Sequence, residues 1–222
     1  MKKWIEQYEL SQLILHEDSR FLIANKPPGV PVQKDKTGDT SLLEFIENSL
    51  NASFHIHTRI DRPVSGIVVL EKSKIQDKGI LPLKHLSKEY LAIVPKLNQP
   101  AGRLTHYLKR DGIRRRALIS DTPEKGFKMG QLDFEVTQQL DRYDLLCIRT
   151  STGRYHQIRA QLAHMGYPIR GDVKYGARRA KRDRSIDLHA WRISMEPTLP
   201  EISAPRLGPE DIWSNIDFNS LP

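Results

Sequence analysis

The chain has 222 residues and a formal net charge of +8, with 35 lysine and arginine residues against 27 aspartate and glutamate residues. This length allows one sizeable core or two small lobes and is too long for a disulfide-stapled miniprotein. A single cysteine, Cys147, excludes a disulfide framework and CxxC metal clusters, and it favours a reducing, cytoplasmic setting. The sequence has neither the apolar core of a signal peptide nor a stretch of membrane-spanning length, so no membrane partner is expected.

The positive charge is concentrated in two stretches of the sequence. Residues 103–116 contain six basic residues and one acidic residue, and residues 170–184 contain seven basic and two acidic residues. Clustered bases are typical of proteins that bind a polyanion, because each phosphate that is neutralised releases condensed counterions. We therefore predict a nucleic-acid partner, and the alternative that stays open is a solvated basic surface.

Apolar patterns and turn residues predict a strand and then a helix near the start of the chain. Phe21–Ala24 is a short apolar run, and the two prolines and the glycine at 27–29 must turn the chain after it. Ser41 and Glu44 have the spacing of a capping box, and leucine and isoleucine recur behind them at helical spacing. Residues 41–50 therefore predict an amphipathic helix.

The segment 54–61 alternates apolar and polar residues. If this segment is extended, successive side chains point to opposite faces, so His57, Arg59 and Asp61 share one polar face. A turn with a proline and a Ser-Gly pair follows, and an aspartate beside an arginine in such a turn is commonly structural. The segment by itself leaves open whether Asp61 stabilises a loop or performs chemistry.

The rest of the chain predicts several strands, one helix and an irregular tail. The helix opens after Gly153, presents Ile158 and Leu162 on one face and ends at Gly166. The tail begins at Glu196 and is rich in proline. The strands are indicated by β-branched or apolar runs at Gly66–Leu70, Tyr90–Val94, Leu132–Thr137 and Leu145–Thr150.

Motifs for cofactor and metal chemistry are missing from the sequence. It contains no GxGxxG, no GxxxxGKS or GxxxxGKT and no HExxH, so dinucleotide, nucleoside-triphosphate and zincin sites lack their usual parts. His55 and His57 have no nearby cysteine, and Asp61 is the only acid in their segment. Cys147 lies in an apolar run, where a free cysteine behaves as a small core residue. We expect neither a cofactor nor a metal.

An ordered series of motifs carries a resemblance to a known enzyme family. The sequence Arg-Ile-Asp-Arg-Pro-Val-Ser-Gly at 59–66 resembles the catalytic R-L-D-x-x-T/V-S-G segment of RluA-type pseudouridine synthases. Several spaced motifs in one order are far more specific than any single motif. The remaining family motifs are matched in the family's order by Asn25–Gly29, Lys88–Val94, Gly153–Arg159, His164–Gly176 and Leu188–Ala190.

The sequence departs from the family pattern at three points. Thr58 stands where the family usually has histidine, and His57 is displaced by one residue, so no histidine is assigned a catalytic role. Tyr155 replaces the more common threonine. Residues 1–17 are too few for the separate RNA-binding module that many relatives carry. We therefore expect the catalytic domain itself to bind the substrate.

The resemblance implies an α+β fold, with a mostly antiparallel mixed sheet in two lobes and the active-site cleft between them. Residues 18–205 would form the catalytic domain, with an extension at 1–17 and a tail at 206–222. The implied activity is isomerisation of uridines in ribosomal or transfer RNA to pseudouridine, by a cytoplasmic monomer without cofactor or metal. A non-catalytic RNA-binding or ribosome-assembly protein stays open as the alternative. A nuclease is disfavoured, because Asp61 has no acidic neighbour in sequence nearer than Glu71.

The resemblance also assigns roles to individual residues. Asp61 would be the nucleophile or would stabilise the broken glycosidic bond, attacking either the sugar or the base, and Arg159 would be its basic partner. Tyr90 would stack on uracil and help to remove the carbon-5 proton. The uridine must be flipped out first, and Arg62 would fill the vacated stack or pair with the displaced partner base. Further substrate-binding residues are implied at Arg59, Ile158 and Leu188, with phosphate contacts at Arg114, Arg115, Arg116, Arg178 and Arg179 and on to Arg184.

Overall fold

Strands are the main elements of the computed structural model, which describes residues 4–73, 86–195, 197–208 and 211–221. The chain divides into unit 1, residues 1–86 with 189–208, and unit 2, residues 87–188 with 209–222. Among the described residues of each unit, the strand pairs are antiparallel apart from one parallel pair in unit 1. The predicted α+β fold with a mostly antiparallel mixed sheet is confirmed. No helix in these described ranges is long and apolar enough to cross a membrane.

The described residues of unit 1 form mainly strands. Its strands are β1 (Ile14–Glu17), β2 (Phe21–Lys26), β3 (Phe54–Ile56), β4 (Ser65–Lys72), β10 (Leu188–Met195, which enters the unit at His189) and β11 (Leu199–Ser203). Its helices are α1 (Leu10–Leu13), α2 (Leu42–Leu50) and a 3-10 turn at Trp4–Gln7. The strand order is β1–β2–β4–β10, with β3 paired to β4 and β11 paired to β10.

The predicted amphipathic helix near the start of the chain is confirmed as α2. Ser41 is its N-cap, and the Ser41 hydroxyl accepts the backbone N–H of Glu44 at 3.2 Å. The helix ends at Asn51, whose backbone is left-handed with φ 47°. Leu42 and Ile46 are buried on its inner face and belong to the core of unit 1, as the apolar spacing predicts.

Residues from α2, β2 and β4 share one buried core in unit 1. The strands β2 and β4 were both predicted from their apolar runs, and both are confirmed with slightly longer bounds. Ile5 and Leu13 are 1% and 0% exposed and join the same core. Ile5 and Leu13, which lie in the predicted extension at 1–17, therefore contribute apolar side chains to this unit.

The predicted extended segment 54–61 is wrong beyond Ile56, where β3 ends. The backbone N–H groups of His57 and Thr58 both donate to the carbonyl of Val69, at 2.9 and 3.4 Å. The hydroxyl of Thr58 in turn accepts the N–H of Val69 at 2.9 Å. These bonds end the regular pairing of β3 with β4, so His57 and Asp61 do not share a strand face.

The parallel pair β4–β10 is closely packed at its start. Gly66 has φ +110°, and a Cβ atom there would lie 2.7 Å from the backbone nitrogen of Ala190, so only glycine fits. His189 is 0% exposed; its Nδ1 lies 2.9 Å from the hydroxyl of Ser65 and its Nε2 lies 3.0 Å from the carbonyl of Ala204. The carbonyl can only accept, so Nε2 carries the proton and Nδ1 accepts from Ser65. Burial lowers the pKa of His189 to about 4.

Acidification is expected to destabilise the protein through His189. Its pKa falls from 6.5 in the unfolded chain to about 4 in the folded chain. The unfolded chain therefore binds the proton first, and the stability that is present above pH 6.5 is lost as the pH falls towards 4, by about 3 kcal/mol. Urea unfolding at neutral and acidic pH should show a smaller acid-induced loss in His189→Gln than in the wild type. An equal loss in both proteins contradicts the prediction.

The described residues of unit 2 form five antiparallel strands and one α-helix. Its strands are β5 (Ser87–Pro95), β6 (Ala101–Asp111), β7 (Arg116–Ser120), β8 (Lys128–Gln139) and β9 (Tyr143–Thr150), in the order β5–β9–β8–β6–β7. Its helices are α3 (Gln157–His164) and 3-10 turns at Val173–Tyr175, Ile212–Asn215 and Phe218–Ser220. The predicted strands β5, β8 and β9 are confirmed, and Cys147 is buried in β9 as expected.

Several bounds differ from the predictions. The strands β6 and β7 were not predicted, because their many charged residues obscure the apolar pattern, yet they form a hairpin over the basic stretch. Helix α3 begins at Gln157 and not after Gly153, since His156 before it is left-handed with φ 54°. The irregular tail predicted from Glu196 is wrong at Leu199–Ser203, which pairs with β10 as β11.

Candidate active site and RNA-binding surface

Asp61 lies in the turn between β3 and β4 of unit 1, with a half-buried side chain. Its backbone carbonyl accepts the N–H of Val64 at 3.0 Å, which closes the turn. Buried polar side chains bind the chain on both sides of Asp61. Lys26 binds the backbone carbonyl of Arg62, and Glu71 binds the ring of His57. The Asp61 turn is therefore a fixed structure and not a free loop.

Lys26 is a buried cation at the end of β2. It is 0% exposed, and its Nζ donates to the carbonyls of Pro27, Val30 and Arg62 at 2.8, 2.9 and 3.2 Å. Burial lowers the pKa of Lys26 to about 7, although the negative charge of Asp61 raises it. Lys26 thus ties the turn after β2 to the Asp61 turn and places a titratable cation within electrostatic range of the carboxylate. No role was predicted for Lys26 from the sequence, where its one signal was its place at the end of a largely apolar strand.

The chain before Asp61 is anchored by a buried carboxylate. Glu71 is 4% exposed; its Oε2 lies 2.7 Å from Nε2 of His57, and its Oε1 lies 2.5 Å from Nε and Nη2 of Arg20. Burial raises the pKa of Glu71, but the hydrogen bonds from His57 and Arg20 outweigh it and hold the pKa below its ordinary value. His57 therefore acts as an anchor for the start of the Asp61 turn.

Arg62 follows Asp61 and organises a second loop of unit 1. Its Nε donates to the carbonyl of Gly29 at 2.8 Å. Its Nη1 donates to the hydroxyl of Thr37 at 2.7 Å and lies 3.2 Å from a carboxylate oxygen of Asp35, while Nη2 contacts Asp39. That Arg62 fills a vacated base stack or pairs with the displaced base stays a prediction. In either role, contacts with RNA would replace these contacts with the loop.

Arg159 lies on α3 in unit 2 and is bound by two parallel hydrogen bonds. Its Nε and Nη2 donate to the two carboxylate oxygens of Asp172 at 2.7 and 2.9 Å, and the guanidinium lies 5.1 Å from the ring centroid of Tyr175. Arg159 and Asp172 are 4% and 1% exposed. Two-bond pairing of this kind fixes the orientation of a guanidinium group. The predicted pairing with Asp61 stays a prediction. Asp172 lies within the family motif at His164–Gly176, but its pairing with Arg159 was not predicted from the sequence.

The remaining predicted site residues lie on regular elements or in the turn. Tyr90 is half-buried on β5, opposite Ile148 of β9. Ile158 and Leu188 are 7% and 4% exposed, and Arg59 is exposed. The substrate-binding roles of these residues stay predictions.

The first predicted phosphate-binding cluster lies at the end of the β6–β7 hairpin. Asp111 pairs with Arg116 as the last register pair, so residues 112–115 form the turn. Arg114, Arg115 and Arg116 are all exposed. Their charges are therefore available to a polyanion.

The second predicted cluster lines a groove in unit 2. The groove has a volume of about 1240 Å³, and its lining includes three exposed arginines, Arg178, Arg179 and Arg182. Arg142 and Arg170 also line it. A concave surface with several arginines suits a phosphate backbone, because one guanidinium group can donate two parallel hydrogen bonds to phosphate oxygens.

A buried carboxylate fixes the loop that carries this cluster. Asp187 is 0% exposed, and Arg170 and Lys181 each approach its oxygens to 2.5 Å. The indole N–H of Trp213 donates to Asp187 at 2.8 Å. Asp187 therefore binds Arg170 and Lys181, whereas Arg178, Arg179 and Arg182 are exposed to solvent.

Among the described residues, His106, Asp121 and His164 form a group whose ligand atoms lie within 4.8 Å of one another. Nε2 of His164 lies 2.8 Å from Asp121, and Nε2 of His106 lies 3.7 Å from it. The side-chain amide nitrogen of Gln161, which faces the carbonyls of Leu104 and Gly130, lies 3.1 Å from Nδ1 of His106. The contacts favour a hydrogen-bonded cluster.

Comparisons with known proteins agree with the resemblance. Residues 20–164 match the family described as RNA pseudouridylate synthase. The chain is 31% identical over 181 residues to the ribosomal large subunit pseudouridine synthase C of Buchnera aphidicola, a match that covers 79% of this chain and 56% of that protein. It is 28% identical over 180 residues to the tRNA pseudouridine synthase C of Vibrio vulnificus, with 73% of each chain covered. The chain thus spans little more than half the length of the ribosomal relative.

A solved structure shows the same fold. The human protein named RNA pseudouridylate synthase domain containing 4 superposes with a TM-score of 0.70 at 21% identity, over 89% of this chain and 90% of that chain. The family match contains the Asp61 turn, Tyr90 and Arg159. The chain belongs to the RNA pseudouridylate synthase family.

Proposed function

We propose that this chain converts uridine in RNA to pseudouridine. The observation that carries the proposal is the Asp61 turn, which lies inside the family match and is held by buried Lys26 and by the His57–Glu71 pair. A backbone that is fixed before the substrate arrives helps to position the carboxylate it carries, as a nucleophile or an electrostatic stabiliser requires. The alternative, a non-catalytic RNA-binding protein, needs the basic surfaces but not this turn.

The reaction balances without any added group. The bond from N1 of uracil to C1′ of ribose breaks, a bond from C5 to C1′ forms, the C5 proton leaves to solvent and N1 gains a proton. Asp61 would act on the sugar or on the base ring, and Tyr90 and Arg159 keep the roles that the resemblance assigns to them. A half-buried carboxylate can do this chemistry without a redox cofactor or a metal, because no electron leaves the substrate.

The substrate class is ribosomal or transfer RNA. The names of the relatives, a ribosomal large subunit pseudouridine synthase and a tRNA pseudouridine synthase, support both classes. The exposed arginines of the hairpin and of the groove supply the phosphate contacts that such an RNA needs. We also propose that the chain acts as a monomer in the cytoplasm, where a single buried cysteine suits reducing conditions.

Release of the C5 hydrogen tests the proposal directly. Ribosomal and transfer RNA transcribed with 5-tritiated uridine should release tritium to water when incubated with the purified chain, in proportion to the pseudouridine formed. The reaction should proceed in the presence of a chelator once the RNA is folded. Tight binding without tritium release from either RNA class would instead support the non-catalytic alternative.

The salt dependence of RNA binding should depend on the hairpin arginines. Replacing Arg114, Arg115 and Arg116 with alanine removes up to three phosphate contacts, each of which contributes about 0.7–0.9 to the slope of log affinity against log salt. We expect the slope to flatten by roughly two to three units, while turnover at saturating RNA stays near wild type. Arg149→Ala, which removes an exposed arginine paired with Glu89 and Glu135, is the control. An unchanged slope in the triple variant would move the phosphate track to Arg178–Arg184.

A further inference from the structure

The tip of the β6–β7 hairpin presents an apolar side chain to solvent. Ile113 is 96% exposed, whereas the other exposed large apolar residues of the described ranges, Val173 and Met129, reach 55% and 45%. The segment 109–116 around Ile113 contains five basic residues and one acidic residue. One exposed apolar side chain is ordinary by itself. The position of Ile113 at the end of a basic hairpin places an apolar side chain next to several positive charges.

The tip is ordered by its own hydrogen bonds. One carboxylate oxygen of Asp111 accepts the backbone N–H groups of both Ile113 and Arg114 at 2.9 Å. Arg115 then takes a left-handed conformation with φ 51°, which returns the chain to β7. Because the turn is already formed, contact with a ligand at Ile113 needs little further ordering of the backbone.

The hairpin is also anchored to the rest of unit 2. The hydroxyl of Tyr175 accepts the N–H of Ala117 at 2.7 Å, and Tyr175 is 9% exposed. Lys174 and the hydroxyl of Tyr155 both donate to the carbonyl of Arg115, at 3.2 and 3.3 Å. These contacts begin two residues from Ile113, so the tip projects from a fixed base.

We propose that Ile113 is an apolar wedge that packs against the faces of RNA bases at an unpaired or unstacked step, while Arg114 and the neighbouring basic residues hold the phosphates. Bases present apolar faces and phosphates present negative charge, which matches an isoleucine flanked by arginines. An apolar side chain that enters a base step offsets part of the stacking that is lost there. Flipping a uridine requires such unstacking, so the wedge rests on the proposed function.

Other occupants fit the tip less well. A membrane surface needs an amphipathic face with several apolar side chains, and the tip offers one. A protein partner needs a broad patch with an apolar centre, whereas residues 114–116 beside Ile113 are all arginine.

Binding to a defined RNA tests the wedge. The probe is a short stem–loop with one unpaired uridine and 2-aminopurine beside it, whose fluorescence rises when the base unstacks. The protein is the full chain with Asp61→Asn, so that the RNA is not converted. Ile113→Ala should weaken binding by roughly five- to twentyfold and reduce the fluorescence gain, with the salt slope unchanged because no charge is lost. Ile113→Phe should retain both affinity and signal.

The lysine variant separates a wedge from a purely electrostatic tip. Ile113→Lys adds a charge, so it should bind more tightly if the tip only approaches phosphates and less tightly if the side chain packs against bases. Met129→Ala, a change at an exposed apolar residue away from the tip, should bind like the parent. Unchanged binding by Ile113→Ala, or tighter binding by Ile113→Lys, overturns the proposal.

The outcome is independent of the test of catalysis. If tritium release fails but binding depends on Ile113, the proposed function and the role of the wedge in uridine flipping are wrong, while the contact of Ile113 with RNA bases stands. If tritium is released and the Ile113 variants bind normally, the wedge is wrong and the proposed function stands. Because Ile113 is almost fully exposed, its variants should unfold at the wild-type temperature, which thermal melts will check.

Discussion

Replacing Asp61 with asparagine is expected to abolish pseudouridine formation while RNA affinity stays within about twofold of wild type. Asparagine keeps the shape of the side chain but removes the negative charge and the nucleophilic oxygen. The backbone bond to Val64 and the pairing of His57 with Glu71 do not involve the Asp61 carboxylate, so the turn should keep its structure. Tritium release should fall by at least about a thousandfold, which is the scale expected when a nucleophile is lost.

Two further variants make the Asp61 result specific. Asp61→Ala should be equally inactive, and it cannot regain a carboxylate by deamidation. Asp133→Asn makes the same chemical change in an exposed ion pair with Arg103 on unit 2, and it should retain activity. Pseudouridine formed by purified Asp61→Ala would remove Asp61 from the mechanism.

Replacing Arg159 with alanine is expected to cost about 3–5 kcal/mol in the free energy of unfolding, because it leaves the buried carboxylate of Asp172 without its two hydrogen bonds. Arg159→Lys should recover only part of this loss, since an ammonium cannot make both parallel bonds. Turnover should fall as well. The salt slope of RNA binding should change little, because Arg159 is 4% exposed and does not reach solvent phosphates.

Arg149→Ala is the matched control for Arg159. Arg149 also binds carboxylates, those of Glu89 and Glu135, but its side chain is 48% exposed. An exposed pair contributes about 0–1 kcal/mol, so the urea midpoint should barely shift. Turnover of the Arg159 variants must be measured under conditions in which their unfolding curves show that they are folded. Equal destabilisation by Arg159→Ala and Arg149→Ala would contradict the structural role of the buried pair.

The Asp61 segment shows how far sequence motifs reach. The order of motifs around Asp61 is a property of the sequence, and it identified the family without any coordinates. The path of the chain beside Asp61 was predicted wrongly, because alternation of apolar and polar residues does not show that Val69 accepts the N–H groups of both His57 and Thr58. A carbonyl that binds two successive N–H groups ends a regular ladder, and only the fold brings Val69 there.

The β6–β7 hairpin illustrates a second limit of sequence reasoning. Its charge was read directly from residues 103–116, but its strands were missed because arginine and lysine replace the apolar residues that mark a strand. Pairing of β6 with β8 over eight register positions supplies the missing stabilisation. The exposure of Ile113 follows from this pairing, since the register sets which residues form the turn.

The sequence by itself determined the family, the α+β class, the capped helix α2, the apolar strands and the two basic clusters, because these depend on local composition and on the order of motifs. The tertiary structure decided the partners of the buried charges: Lys26 binds three carbonyls, His57 binds Glu71 and Arg159 binds Asp172. Burial makes such charges costly unless a partner of the right geometry is present. Folding brings the partner near, so the partner of a buried charge cannot be predicted from its separation along the chain.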